Sequence, residues 1–206
     1  MSDIPPPLGH DEDSQREKEK QDLAELLYKE IMAGNWEEVT GKYREKFGLA
    51  YSVQINQLED TALHLAISHG LDSAVEKLVK IICDNNKEAL KLKNKNGNTP
   101  LHVAASMGTL KMCIGIAKAD PLLGIERNND GETPLFLAAL HGERDIFLQL
   151  HSICCCMHDS SSSHDSLHRN NSGETILHCA IKRECWGEHF SLLKVFKFTY
   201  ISNAQE

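Results

Sequence analysis

The chain has 206 residues, enough for one domain with a substantial core, and its 41% hydrophobic and 25% charged content is that of a soluble globular protein. The net charge of −8 comes without any basic block, so the concentrated positive footprint of a nucleic-acid binder is absent. No run approaches the roughly 20 apolar residues of a membrane helix. The amino terminus shows no apolar segment of the signal-peptide kind, and seven irregularly spaced cysteines read as reduced thiols, so a cytoplasmic protein is expected.

Residues 1–20 contain Pro5-Pro6-Pro7 and then mostly Asp, Glu, Lys and Gln. They carry almost no apolar side chains and are expected to form a disordered tail, with one domain running from 21 to 206. Leu23, Leu26, Leu27 and Ile31 recur at helical spacing, Gly34 closes the segment, and Val39 follows five residues later. Residues 23–45 are therefore expected to cap the domain.

One phrase then appears four times: Asp60-Thr61-Ala62-Leu63-His64-Leu65-Ala66, Asn98-Thr99-Pro100-Leu101-His102-Val103-Ala104, Glu132-Thr133-Pro134-Leu135-Phe136-Leu137-Ala138 and Glu174-Thr175-Ile176-Leu177-His178-Cys179-Ala180. Thr99 and Thr133 are natural helix N-caps, and Pro100 and Pro134 sit at the first helical position, where a missing N–H does no harm. Asn96-Gly97 and Asp130-Gly131 are strong tight-turn pairs, Ser172-Gly173 a weaker one. The first copy has Glu59 in place of the turn glycine and Ala62 in place of proline, so its turn is expected to be less well formed.

Thr-Pro-Leu-His followed by small residues and a glycine resembles the ankyrin repeat, over about residues 23–200 and most specifically over 60–181. The resemblance implies an all-α repeat solenoid, an ankyrin stack of helix-turn-helix units with short β-turn fingers, in units starting near 58, 96, 130 and 172. It also implies a role for His64, His102 and His178: an imidazole that hydrogen-bonds turn backbone. In each unit the glycine that closes the first helix should be followed by inward residues at offsets five, eight and nine. These are Val75, Leu78 and Val79 after Gly70; Cys113, Ile116 and Ala117 after Gly108; and Phe147, Leu150 and His151 after Gly142. The last unit slips: Glu184 stands where glycine is expected, and Gly187 restores the pattern with Leu192, Val195 and Phe196. The Ser/His-rich stretch 152–170, with Ser160–Ser163, is expected to be an exposed loop inserted between units.

Such stacks hold protein partners on a concave face built from finger tips and the two residues before each helix-closing glycine. The expected partner contacts are Lys95, Asn96, Asn98, Ser106 and Met107 in the second unit, and Asn129, Asp130, Glu132, Leu140 and His141 in the third, with Met107, Leu140 and His141 as anchors. Ser68, His69, Lys182 and Arg183 extend the surface at its ends.

No glycine-rich phosphate loop or HExxH motif is present, so neither an enzyme nor a cofactor is expected. Cys154-Cys155-Cys156 lies near His151, His158, His164 and His168, and a metal- or redox-responsive sensor is the alternative reading. Adjacent cysteines point in different directions and lack a CxxC partner, so no metal site is assigned. A narrower likeness, in Leu27-Tyr28-Lys29, Gly34-Asn35-Trp36, Thr61-Ala62-Leu63-His64, Gly173–Ile181 and Gly187–Phe190, is to the plant ankyrin-repeat membrane proteins of the accelerated-cell-death type with a C-terminal PGG domain. It implies a cytoplasmic partner-binding half and a setting in defence or stress signalling. The membrane block of that family is not among these 206 residues, and a truncated portion of a membrane-anchored signalling protein is the other alternative reading.

Overall fold

The computed structural model describes residues 10–155, 169–175 and 178. Most of the slipped last unit, most of the 152–170 insertion, and residues 1–9 lie outside the described residues.

Two helices open the domain, α1 (His10–Met32) and α2 (Trp36–Glu45), followed by the short α3 (Phe47–Ala50). Three similar units follow: α4 (Ala62–Ser68) with α5 (Asp72–Asn85), α6 (Pro100–Ser106) with α7 (Leu110–Ala119), and α8 (Pro134–Leu140) with α9 (Arg144–Cys155). Short 3₁₀ turns at Lys87–Lys91 and Pro121–Ile125 lead from one unit towards the next. The first helices stack in one row, α4 on α6 and α6 on α8, and the second helices in another, α5 on α7 and α7 on α9. The cap joins through α2 against α5.

The helices α4, α6 and α8 have seven residues each, too few to be stable alone, so they exist by being packed on several sides. Ala66, Ala104, Ala105, Ala138 and Ala139 are fully buried, and their small size lets the rows approach. The inward offsets are occupied as the pattern requires: Val75, Leu78, Cys113, Ile116, Ala117, Phe147 and Leu150 are buried. Val79 and His151 are half-buried, His151 stacked on Phe147 at 6.1 Å.

Two expectations need correction. The tail expected over 1–20 is helix from His10 onward. Lack of apolar residues removes burial but not helix propensity, and the Glu-, Lys- and Gln-rich stretch consists of good helix formers with a Glu17–Lys20 pair one turn apart. The first turn, expected to be poorly formed, has the same geometry as the others. Glu59 adopts φ 60° where Gly97, Gly131 and Gly173 have 74–76°.

The reason is an asparagine that begins every finger. Asn56 Oδ1 accepts the N–H groups of Leu58 and Asp60, both at 3.0 Å. Asn94, Asn128 and Asn170 repeat this with the amides two and four residues on, at 2.8–3.1 Å. A left-handed non-glycine residue costs about 1–2 kcal/mol, part of which glycine's greater chain entropy offsets. Glu59→Gly should therefore raise stability by roughly 0.5–1 kcal/mol in urea unfolding; no gain would show that the carboxylate's contact with Gln54 (3.3 Å) matters more than the backbone strain.

Candidate protein-interaction face

The fingers stack as a ladder. Lys95 donates its backbone N–H to Leu58 O (2.8 Å), Asn129 to Asn96 O (3.1 Å) and Asn171 to Asp130 O (2.8 Å). Side chains add rungs: Asn129 Nδ2 to Lys95 O and Asn171 Nδ2 to Asn129 O, both 2.9 Å, and Lys93 Nζ to Arg127 O, 2.9 Å. Below the tips, Asn94 Nδ2 donates to Asp60 Oδ1 (2.8 Å) and Asn128 Nδ2 to Asn98 Oδ1 (3.0 Å).

The histidines of the repeated phrase clip one unit to the next. Nδ1 of His64 accepts the Thr61 N–H at 3.2 Å, which places the ring proton on Nε2, and Nε2–H donates to Asn98 O at 3.0 Å. His102 does the same between Thr99 N–H (3.1 Å) and Glu132 O (3.1 Å). Both rings are buried, and desolvation lowers both pKa values, that of His102 to about 4. They are held neutral as structural clips. His178 repeats the local part of the clip with Thr175.

Half of the expected contact residues present free side chains. Lys95, Asn96, Asp130 and His141 are exposed, and Met107 is 52% exposed. The other five are engaged within the chain. Asn98 and Asn129 serve in the ladder, and Glu132 Oε2 accepts from Asn128 Nδ2 at 3.3 Å. Ser106 Oγ donates to Val103 O at 2.9 Å, and Leu140 is half-buried against the core. Lys182 and Arg183 lie outside the described residues, while Ser68 and His69 are exposed on the same row of helix ends.

Two residues of this face were not expected from sequence. Leu58, 50% exposed, is the tip of the first finger, in the place of Asn96 and Asp130. Met32, 58% exposed, stands two residues before Gly34, as Ser68 does before Gly70. The signal that finds Leu58 is the finger asparagine, three residues before Glu59 as Asn94 is before Gly97. Trp36 stands edge-on to His69 at 6.2 Å and links the cap to this row.

Of the cysteine run, Cys154 is the one whose side chain falls among the described residues. Cys154 is buried, and its Cβ packs over Gly124 so closely that a methyl there would lie 2.9 Å away. That sulfur faces the core, not a ligand set at the surface. Among the described residues no group of three His, Cys, Asp or Glu side chains could share a metal ion, and no helix is long and apolar enough to cross a membrane.

Comparison with known proteins returns the same architecture. The family described as "Ankyrin repeats (3 copies)" matches residues 45–122 and 63–158. NF-kappa-B inhibitor alpha of Sus scrofa is 35% identical over 103 residues, which is 47% of this chain and only 31% of that protein. The ankyrin repeat domain of Bcl-3, a member of the IkappaB protein family, superposes with a TM-score of 0.55 at 28% identity, covering 65% of this chain and 55% of that one. Yeast ribosomal protein Rps3 in complex with its chaperone Yar1 contains a chain that superposes with a TM-score of 0.53 at 22% identity, covering 62% of this chain and 90% of that one; this likeness is one of fold.

Proposed function

Since the chain belongs to the ankyrin-repeat family, we propose that it is a non-catalytic scaffold that holds a protein partner on the face built by the finger tips and the closing ends of α1, α4, α6 and α8. One observation carries this reading: Met107, an apolar side chain in a row of polar groups, is left 52% exposed by the described residues. Met32, His69 and His141 continue the row, flanked by Lys95, Asn96 and Asp130. An inhibitor and a chaperone complex are among the similar proteins, and each of those names describes action upon another protein.

The test is Met107→Glu in an affinity capture from cell extract. The partner retained by the unaltered chain should be lost, with stability changed by less than about 0.5 kcal/mol because the side chain is at the surface. Capture of the same partner by both forms would sink the assignment of this face. Leu140→Glu is the weaker test: Leu140 packs against the core, so loss of capture would be mixed with loss of stability.

The narrower setting we propose is the cytoplasmic side of a membrane in plant defence or stress signalling. It rests on the short phrases Leu27-Tyr28-Lys29, Gly34-Asn35-Trp36 and Gly173–Ile181. Transcripts that continue the reading frame into several long apolar helices would support it, and transcripts that never do would refute it.

A further inference from the structure

The finger ladder has an open rung. Lys95, Asn129 and Asn171 are the second residues of their fingers, and each donates its N–H to the finger before it. Gln57 holds that place in the first finger, and among the described residues its N–H has no acceptor. Helix α1, not another finger, lies beside the first finger, and its carbonyls are engaged along the helix.

Between α1 and the first finger runs a groove. Ala24 and Tyr28 line one side together with Gln21 and Glu25, and Ile55 and Leu58 the other together with Gln57. Tyr28 is 45% exposed and faces the groove together with Leu58. Glu25 is the one charged residue of the lining and has no ion pair among the described residues. The groove opens onto the proposed partner face at both walls: Leu58 is a finger tip, and Tyr28 lies one turn before Met32.

We propose that this groove binds an extended segment of a protein partner in which an aliphatic or aromatic residue stands close to a Lys or Arg. Gln57 N–H donates to a backbone carbonyl of that segment, the apolar side chain enters between Tyr28 and Leu58, and the cation meets Glu25. The occupant is extended because a helix uses its carbonyls internally, whereas an extended backbone offers them along its length. The inference rests on the scaffold reading and names the kind of segment it takes.

The probe is a displayed library of linear random peptides, selected on the full chain, with the affinities of recovered peptides then measured on variants. Peptides pairing a basic with an apolar residue should emerge. Leu58→Asp should weaken them at least roughly tenfold, the loss of a contact worth about 1.4 kcal/mol. Glu25→Lys should weaken them too, with a peptide whose base is replaced by Glu recovering on that variant. Met107→Glu should leave them unchanged. All three side chains are exposed, and matching melting curves confirm that the variants fold. An empty selection, or peptides indifferent to both Leu58→Asp and Glu25→Lys, would overturn the proposal. Peptides that respond to Met107→Glu alone would overturn the groove and leave the concave-face reading standing. Peptides that ignore all three variants would count against both.

Discussion

Acidification from about pH 7 to about pH 4 should remove about 3 kcal/mol of stability through His102 alone. The unfolded imidazole titrates near 6.5, and in the fold burial lowers this to about 4, against the opposing pull of the Glu132 carbonyl. The folded chain therefore binds fewer protons than the unfolded one between these values. Its full contribution is present above 6.5 and declines as pH falls from 6.5 through about 4. His64 is shifted in the same direction by the same cause and adds to the slope. The third unit supplies the control, because Phe136 occupies the corresponding place and Thr133 Oγ1 there accepts the Phe136 N–H at 3.1 Å. His102→Phe should lose stability at neutral pH, since Glu132 O loses one of its two donors and keeps only the Asn128 N–H, but should show a flatter dependence below 6.5. Urea unfolding at a series of pH values reads both effects. Parallel pH curves for the two proteins would show that His102 is not an acid-sensitive clip.

The clips, caps and helix-closing glycines were legible in sequence because each is decided within a few residues of the phrase that carries it. Thr99 caps, Pro100 starts the helix, Leu101 is buried and His102 reaches back to Thr99, all within four positions. What crosses from one unit to the next was not legible. Asn98 and Asn129 look like free finger residues until the stack brings Asn128 and Lys95 to them. Met107 and Leu140 precede their glycines by one and two residues, and only neighbouring packing decides that Met107 is uncovered and Leu140 is not. The first finger was misjudged for another reason. Glu59 lacks the freedom of a glycine, but the turn is held by an asparagine, present at Asn56 as at Asn94, Asn128 and Asn170.

Gly97→Ala should cost about 3 kcal/mol, and Gly70→Ala only about 1 kcal/mol, although both glycines have almost the same backbone angle. At Gly70, with φ 70°, an added Cβ meets nothing within 4 Å, so the penalty is the left-handed strain of a non-glycine residue alone. At Gly97, with φ 74°, the same methyl would lie 2.6 Å from the backbone nitrogen of Asn129 and against its side-chain amide. That nitrogen is the one that donates to Asn96 O at 3.1 Å, and the amide is the one that donates to Lys95 O at 2.9 Å. The fingers can make room only by separating, which lengthens both rungs together. The expected difference of about 2 kcal/mol between the two variants therefore measures the stacking of one finger on the next, with backbone strain cancelled. Hydrogen exchange gives a second reading. In Gly97→Ala the Asn129 amide should lose protection while amides of α5 and α7 keep theirs, whereas Gly70→Ala should leave Asn129 unchanged. Equal costs for the two substitutions, with Asn129 protected in both, would mean that the ladder adds little to stability and that the buried helix rows alone hold the units in register.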